Sequence, residues 1–342
     1  MNYTIENIEF NGDIDKLKDK LKEKLDITKD KIDAVSGMWN VVKKMIHNYE
    51  YIYTSYNSWK NVAAKRPISR SYFKLVEMID EFNIDIDGEV LCLAEAPGGF
   101  IQRLNEMPQC SKIYGITLIK GNDVPHWNNS LLNQDNIIFL YGQKENGDIY
   151  DINNILSFTK ILGRNSISFI TADGGIDYTS DYNSQEENSL HIIYSEVLLS
   201  LLMQSKGGTF ICKIFDIFNI KTIKLIYILY ISYEEINIYK PCISRITNSE
   251  KYIVCRGKKD IDIRIINDMV RYFEETEIEI DVPVEFMNAI YNINKDYVDK
   301  QINNIEGALD IIEIGEVRDV ATKKQYKYAK DWCMKYEVKI RK

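Results

Sequence analysis

The stretch Glu95-Ala96-Pro97-Gly98-Gly99-Phe100 interrupts an apolar run, EVLCLA (89–94), just before an amphipathic one begins. A plain connection needs neither paired glycines after a proline nor a carboxylate at its start. A turn that wraps a ligand does, because backbone without side chains can approach closely. Gly98 and Gly99 open the following helix, so its N-terminal amides are expected to point into a site. The carboxylate of Glu95 beside them suits the ammonium of a methionine moiety better than a pyrophosphate. A second stretch, SWKNVAAKRPISRSYFKL (58–75), carries Lys60, Lys65, Arg66, Arg70 and Lys74 with no acid, and interleaves Trp59, Tyr72 and Phe73. Cations among aromatics suit phosphate contact and base stacking on single-stranded RNA. The C-terminal stretch 323–342 has the same character, with eight Lys/Arg against two acids.

Elements must hold these stretches in place. Strand-like runs at 89–94, 112–117, 136–140, 166–172, 208–214, 235–240 and 251–257 alternate with helical patterns, notably 187–205 and 219–232. Such alternation predicts a doubly wound parallel sheet with right-handed crossovers. The linker PCISRITNSE (241–250) is too short for a crossover helix, so one of the last two strands runs antiparallel. The expected fold class is therefore α/β, a Rossmann-like methyltransferase: a mostly parallel seven-stranded sheet with one antiparallel strand, plus helical N- and C-terminal additions. In such sheets the first turn is the usual ligand cradle. The motif at 95–100 is not G-x-G-x-x-G, and YGITL (114–118) ends without an acid to grip a ribose, which disfavours nicotinamide and flavin cofactors.

Before the sheet, Leu17, Leu21 and Leu25 lie four apart amid alternating charges, the mark of a one-stripe surface helix. Beyond residue 260 the alternation ends, and that region is expected to be helical in its last third. The expected organisation is an N-terminal helical extension over 1–43, a main domain over 44–260 and an accessory region over 261–342. A chain of 342 residues with 45% hydrophobic and 27% charged residues is ordinary for a soluble protein. Its apolar runs fall short of a membrane span, and its first residues lack a secretory pattern, so a cytoplasmic location is expected. Six scattered cysteines and three isolated histidines favour reduced buried thiols over disulfides or a zinc site. The formal charge of −8 argues against indiscriminate nucleic-acid coating and leaves room for a local basic groove.

AEAPGGF (94–100), TADGG (171–175), GGTFICKIFD (207–216) and SRITNSEKYIVCRG (244–257), in that order and strand context, resemble the FtsJ-like ribose 2'-O-methyltransferases. YGITLIKGNDVPHW (114–127) and NGDIYDIN (146–153) are similar to segments of the cap-specific mRNA branch. The resemblance spans about residues 66–260. It implies a Lys-Asp-Lys-Glu tetrad at Lys74, Asp173, Lys213 and Glu250. It implies S-adenosyl-L-methionine as methyl donor, with no metal, held by Glu95, Ala96, Pro97, Gly98, Gly99, Phe100, Asp148, Ile149 and Asp173. Many members carry Asp where this chain has Cys92, and SRSYFKL (69–75) looks more like ribosomal-RNA members. The implied partner is RNA, 5'-capped mRNA in particular, together with other capping or transcription proteins, and neither membrane nor DNA. A ribosomal- or transfer-RNA enzyme and an inactive cofactor-binding scaffold of a capping complex stay open as alternatives.

A ribose 2'-hydroxyl is a poor nucleophile and needs a base and in-line alignment. Two lysines placed together and partly desolvated are expected to push one pKa down. Lys213, ending a buried strand, is the better base; Asp173 and Glu250 orient the lysines. Lys60, Lys65, Arg66 and Arg70 are the expected RNA contacts.

Overall fold

The computed structural model describes residues 2–4, 14–54, 60–119, 121, 124–175, 182–318 and 322–341. Trp59, one of the aromatics expected to stack on RNA, lies outside the described residues.

Five strands run parallel: β2 (Gly88–Leu93), β3 (Cys110–Ile116), β4 (Ile137–Leu140), β5 (Ile167–Ala172) and β6 (Gln204–Ile214). Beside β6 lies β8 (Lys251–Lys258), antiparallel to it and to β7 (Tyr233–Tyr239). The short 240–250 link forces that reversal, as the sequence implies. The full order is β1-β7-β8-β6-β5-β2-β3-β4, with β1 (Asn2–Thr4) an eighth strand on the edge. Three residues are too few to show a period, which is why this strand was not foreseen.

Side-chain alternation divides the core between two faces. Val90 and Cys92 meet α3 (Ser71–Glu81) and α4 (Gly99–Asn105), with Trp127 and Leu131 beside them. Leu91 and Leu93 face α6 (Ile152–Leu162), α7 (Gln185–Met203) and α8 (Ile220–Ser232). Covering both faces explains why the strands read as unbroken apolar runs.

The terminal regions pack onto this sheet. In α1 (Ile14–Asp30), Leu21 and Leu25 bury against Val298, Ile302 and Phe218. The residues beyond 260 are helical far more widely than expected: α9 (Ile263–Arg271), α10 (Val284–Glu313) and α11 (Lys323–Lys335). Phe286, Ile290, Ile293, Tyr297, Gln301, Ile305, Ala308 and Ile312 recur at three- and four-residue steps along α10 and are all buried. That period is legible in the sequence once a helix is sought there. Helix α2 (Ser36–Met45) sets Trp39 and Val42 against the far end of α10, and α5 (Asn129–Leu132) is a single turn. Returning to the front, α11 packs Trp332 edge-on to Phe73 of α3 and donates its indole N–H to Glu77 at 2.8 Å. Among the described residues no helix is long and apolar enough to cross a membrane.

Candidate active site

Parallel strands bring their carboxyl ends to one edge of the sheet, where the loops after β2, β5 and β6 meet. Register then sets the site. Ala172 pairs with Cys212 across β5 and β6, and Lys213 stands opposite Tyr252 across β6 and β8. Asp173, one step past β5, and Glu250, one step before β8, thus flank Lys213 on either side. Lys74 reaches in from α3.

The polar atoms form one connected chain. Lys74 Nζ lies 2.7 Å from Glu250 Oε1 and donates to the Tyr252 hydroxyl at 3.3 Å. The Tyr252 hydroxyl donates to Asp173 Oδ1 at 2.7 Å. Lys213 Nζ sits 3.3 Å from that same Oδ1 and donates to the Asp173 carbonyl at 2.8 Å. Ser244 donates its hydroxyl to Glu250 Oε1 at 2.5 Å. The four charged side chains keep 11–15% of their surface, so they are desolvated yet reachable. The site thus brings all four tetrad candidates together. Tyr252, Ser244 and the buried Glu196 join them unforeseen; Tyr252 stands two residues after Glu250, the period at which an extended chain returns to one face, which is a readable signal.

Electrostatics overturn one expectation. Burial pulls the Lys213 amine down, but Asp173, Glu250 and Glu196 outweigh it and raise its pKa above the usual lysine range. Carboxylates, not the second lysine, dominate its surroundings. Burial pushes Glu250 up, but Lys74, Lys213 and the Ser244 hydroxyl hold its carboxyl well below the ordinary range. On α7, burial raises Glu196 to about 8, against the pull of Lys213. Glu196 accepts the Gly174 N–H at 3.1 Å.

The loop at 95–100 also differs from its expectation. Glu95 is buried and accepts the Phe100 and Ile101 amides at 2.5 and 3.2 Å, capping α4 from inside. The amides expected to face a ligand are therefore taken up by the Glu95 carboxylate itself. Gly98 adopts φ +110°, and a Cβ there would lie 2.2 Å from Leu131 Cδ1. A Cβ on Gly99 would lie 2.1 Å from Ser69 Oγ. Packing of the protein on itself demands both glycines. Phe100 is fully buried against Tyr252, whereas Ala96 and Pro97 stay half-buried at the rim. Cys92 is buried in the core with its thiol pushed up by burial, so it does not replace the missing acid.

The residues present suit S-adenosylmethionine. Asp148 gives Oδ1 to the Tyr150 N–H at 2.9 Å, and Oδ2 has no partner among the described residues, leaving an acceptor for an amine. Ile149 beside it is buried, and Asp173 offers negative charge for a cation. Among the described residues no His/Cys/Asp/Glu group could hold a metal. Of the expected RNA contacts, Arg66 is exposed, Lys65 pairs with Glu106 over the Tyr72 ring, and Lys60 lies over the Tyr51 ring. Arg70 departs from its expected role. It donates to the Ile243 carbonyl at 2.7 and 3.1 Å, to the Tyr53 carbonyl at 2.8 Å, and pairs with Glu50. Burial lowers its pKa to about 10.

The FtsJ-like methyltransferase model matches residues 67–258, more than half of the chain. This chain belongs to the FtsJ-like methyltransferase family. It is 25% identical over 287 residues to a probable methyltransferase of African swine fever virus, covering 77% of this chain and 65% of that protein. It is 30% identical over 198 residues to the cap-specific mRNA (nucleoside-2'-O-)-methyltransferase 1A of Caenorhabditis briggsae, covering 55% of this chain and 23% of that protein. An inactive cap-specific mRNA (nucleoside-2'-O-)-methyltransferase 1B of the same nematode is 29% identical over 198 residues, covering 55% of this chain and 23% of that protein. The chain spans less than two thirds of the length of each of these relatives. The FtsJ-like match contains Lys74, Asp173, Lys213 and Glu250 and leaves α1, α2, α10 and α11 outside it.

Proposed function

We propose that this protein is an RNA ribose 2'-O-methyltransferase acting on a cap-proximal nucleotide of mRNA. The observation that carries the reading is the unbroken polar chain Glu250–Lys74–Tyr252–Asp173–Lys213 at the carboxyl edge of the sheet. S-adenosylmethionine, when bound, supplies a methyl group activated on a sulfonium. Lys213 accepts the proton of the 2'-hydroxyl as that oxygen is alkylated. Its amine is held protonated, so only the neutral fraction reacts and the rate climbs with pH. Asp173 and Tyr252 fix the lysine position, while Glu250 pairs with Lys74 and holds it beside the substrate oxygen. Asp148 and Ile149 hold the cofactor base. Lys60, Lys65 and Arg66 take phosphates. The domain doing this chemistry is 44–260, with 1–43 and 261–342 as additions to it.

Overall similarity does not separate active from inactive relatives, since both kinds stand at nearly the same identity. The intact four-residue set supports activity. A cleft of about 230 Å³ next to Ser249, lined by Trp39, Lys43, Tyr182 and Arg245, supports a cap-proximal substrate, because aromatic and cationic groups suit a nucleotide and its phosphates. The test is methyl transfer to one short RNA bearing either a 7-methylguanosine cap or a 5'-triphosphate. The capped RNA should react much faster, and the contrast should persist as salt is raised, because backbone phosphate contacts serve both RNAs alike. Equal rates at moderate salt would overturn the cap assignment and favour ribosomal or transfer RNA.

A further inference from the structure

Two basic stretches distant in sequence become one surface. Ala63 bridges Ile340 in antiparallel fashion, Ala64 N–H donates to the Lys339 carbonyl at 2.8 Å, and Arg341 N–H donates to the Val62 carbonyl at 2.8 Å. This clamp sets the residues leading into α3 against the C-terminal end of the chain and the outer side of α11. An open groove of about 910 Å³ runs there between Val62, Ile340 and α11, continuing past Arg66 and Lys339.

Lys323, Lys327 and Lys330 follow one another at four- and three-residue steps, so they share one face of α11 and line the groove. All three are exposed, as are Arg66 and Lys339, and none of the five has an ion-pair partner among the described residues. Asp331 is the one acid lining the groove among the described residues. In a chain with net charge −8, so many unneutralised cations in one place are a concentrated field. Tyr326 lines the same groove and is braced by stacking on Tyr51, with ring centroids 5.4 Å apart and planes at 27°.

We propose that this groove binds the sugar–phosphate backbone of single-stranded RNA, outside the catalytic centre and beyond the family-matched residues, with Tyr326 as a stacking face. The proposal rests on the RNA-methyltransferase reading and extends it to α11. The spacing of cations along one helix face fits a repeating phosphate chain, and the braced ring fits unpaired bases. The groove reads no base edges, so it adds affinity without sequence preference.

The test compares the full chain with a Lys323→Glu, Lys327→Glu, Lys330→Glu triple variant. All three positions are solvent-facing, and unchanged thermal melting and S-adenosylmethionine affinity verify the fold. Affinity for a fluorescent 30-nucleotide RNA of mixed sequence should fall about ten-fold or more at low salt. The slope of log affinity against log salt should flatten by about 2, given about 0.7 per phosphate contact on a single strand. Unchanged affinity and slope would overturn the proposal. So would poly-glutamate binding that the triple substitution abolishes while RNA binding stays put, since that would assign the groove to an acidic protein segment. Failure of the underlying reading is separate: wild-type protein would then bind RNA and methylate none, capped or uncapped.

Discussion

Two lysine–carboxylate clusters, built from the same residue types, gather at the end of β6 and the start of β8. One holds Lys74, Asp173, Lys213 and Glu250; the other holds Lys29, Asp216, Glu186 and Lys251. Lys29 Nζ lies 2.9 Å from Asp216 Oδ2, both side chains only 5–6% exposed, and Lys251 is 1% exposed. In the sealed cluster burial lowers Lys251 to about 8 and raises Glu186 to about 7, while at Asp216 burial is outweighed by Lys29 and Lys251, which hold its carboxyl below the ordinary range. Nearby, burial lowers Lys240 to about 7, aided by Lys251 and Lys74 against Glu250. In the open cluster three carboxylates surround Lys213 and raise it instead. A depressed lysine pKa is thus present in this protein, but not at the lysine whose position suits a base. On the proposed reading, position at the carboxyl edge of the sheet, more than pKa, marks Lys213 as the base.

The sharpest break between the clusters is functional. Lys213→Ala should lower methyl transfer by about 10²- to 10⁴-fold with S-adenosylmethionine affinity held within a few-fold. Lys251→Met, a shape-preserving change in the sealed cluster, should leave transfer per folded molecule within about three-fold. Single-turnover transfer and calorimetric binding on both variants check this. Near-normal transfer by Lys213→Ala would move the base elsewhere, and loss in Lys251→Met would make the sealed cluster catalytic.

Stability should show the reverse. Asp216→Ala strands the buried Lys29 ammonium, and removing one partner of a buried pair costs about 3–5 kcal/mol. Denaturant unfolding should register most of that. Losing less than about 1 kcal/mol would mean that water or another carboxylate reaches Lys29.

How far the sequence carries differs between these regions. Seven strands and the antiparallel reversal are legible because strand period and short links depend on local pattern, whereas the four tetrad candidates come only from the resemblance of their surrounding motifs to FtsJ-like enzymes. The inward turn of Glu95 is not, because it depends on how α4 sits against the strand it follows. The sealed cluster was invisible for a related reason: Lys29 comes from α1, and only the α1–α10 packing brings it to Asp216. Nor does pattern reveal whether lysines or carboxylates dominate around Lys213, since Glu196 arrives from the middle of an apolar helix. A lone acid in YSEVLLSLLM (194–203) was the available hint.

Within the open cluster, Tyr252 is the bridge between the two ion pairs. Tyr252→Phe removes the hydroxyl that joins Lys74 to Asp173 and keeps the ring packed on Phe100. A hydrogen bond to a charged group contributes about 1.5–3 kcal/mol, so kcat should fall by about 10- to 100-fold. Unchanged kcat would show that the two pairs act independently.

The smallest effect expected is a change in pH dependence at Glu196. Its folded-state pKa is raised by burial, to about 8, so the folded chain binds a proton there that the unfolded chain releases at the ordinary carboxyl pKa. Stability from this group is therefore complete in acid and is lost as pH rises through about 8. Glu196→Gln cannot ionise, and its amide oxygen can still accept the Gly174 N–H. Between about pH 5 and 9 the variant should lose less stability than wild type, by about 1–2 kcal/mol. Removing this carboxylate also takes away one of the three that raise Lys213, so the pH–rate curve should move to lower pH. A purely structural glutamate would alter the stability curve alone. Parallel stability curves and superimposable rate profiles would place Glu196 outside both the linkage and the site, leaving Asp173 and Glu250 as the carboxylates that hold the Lys213 proton.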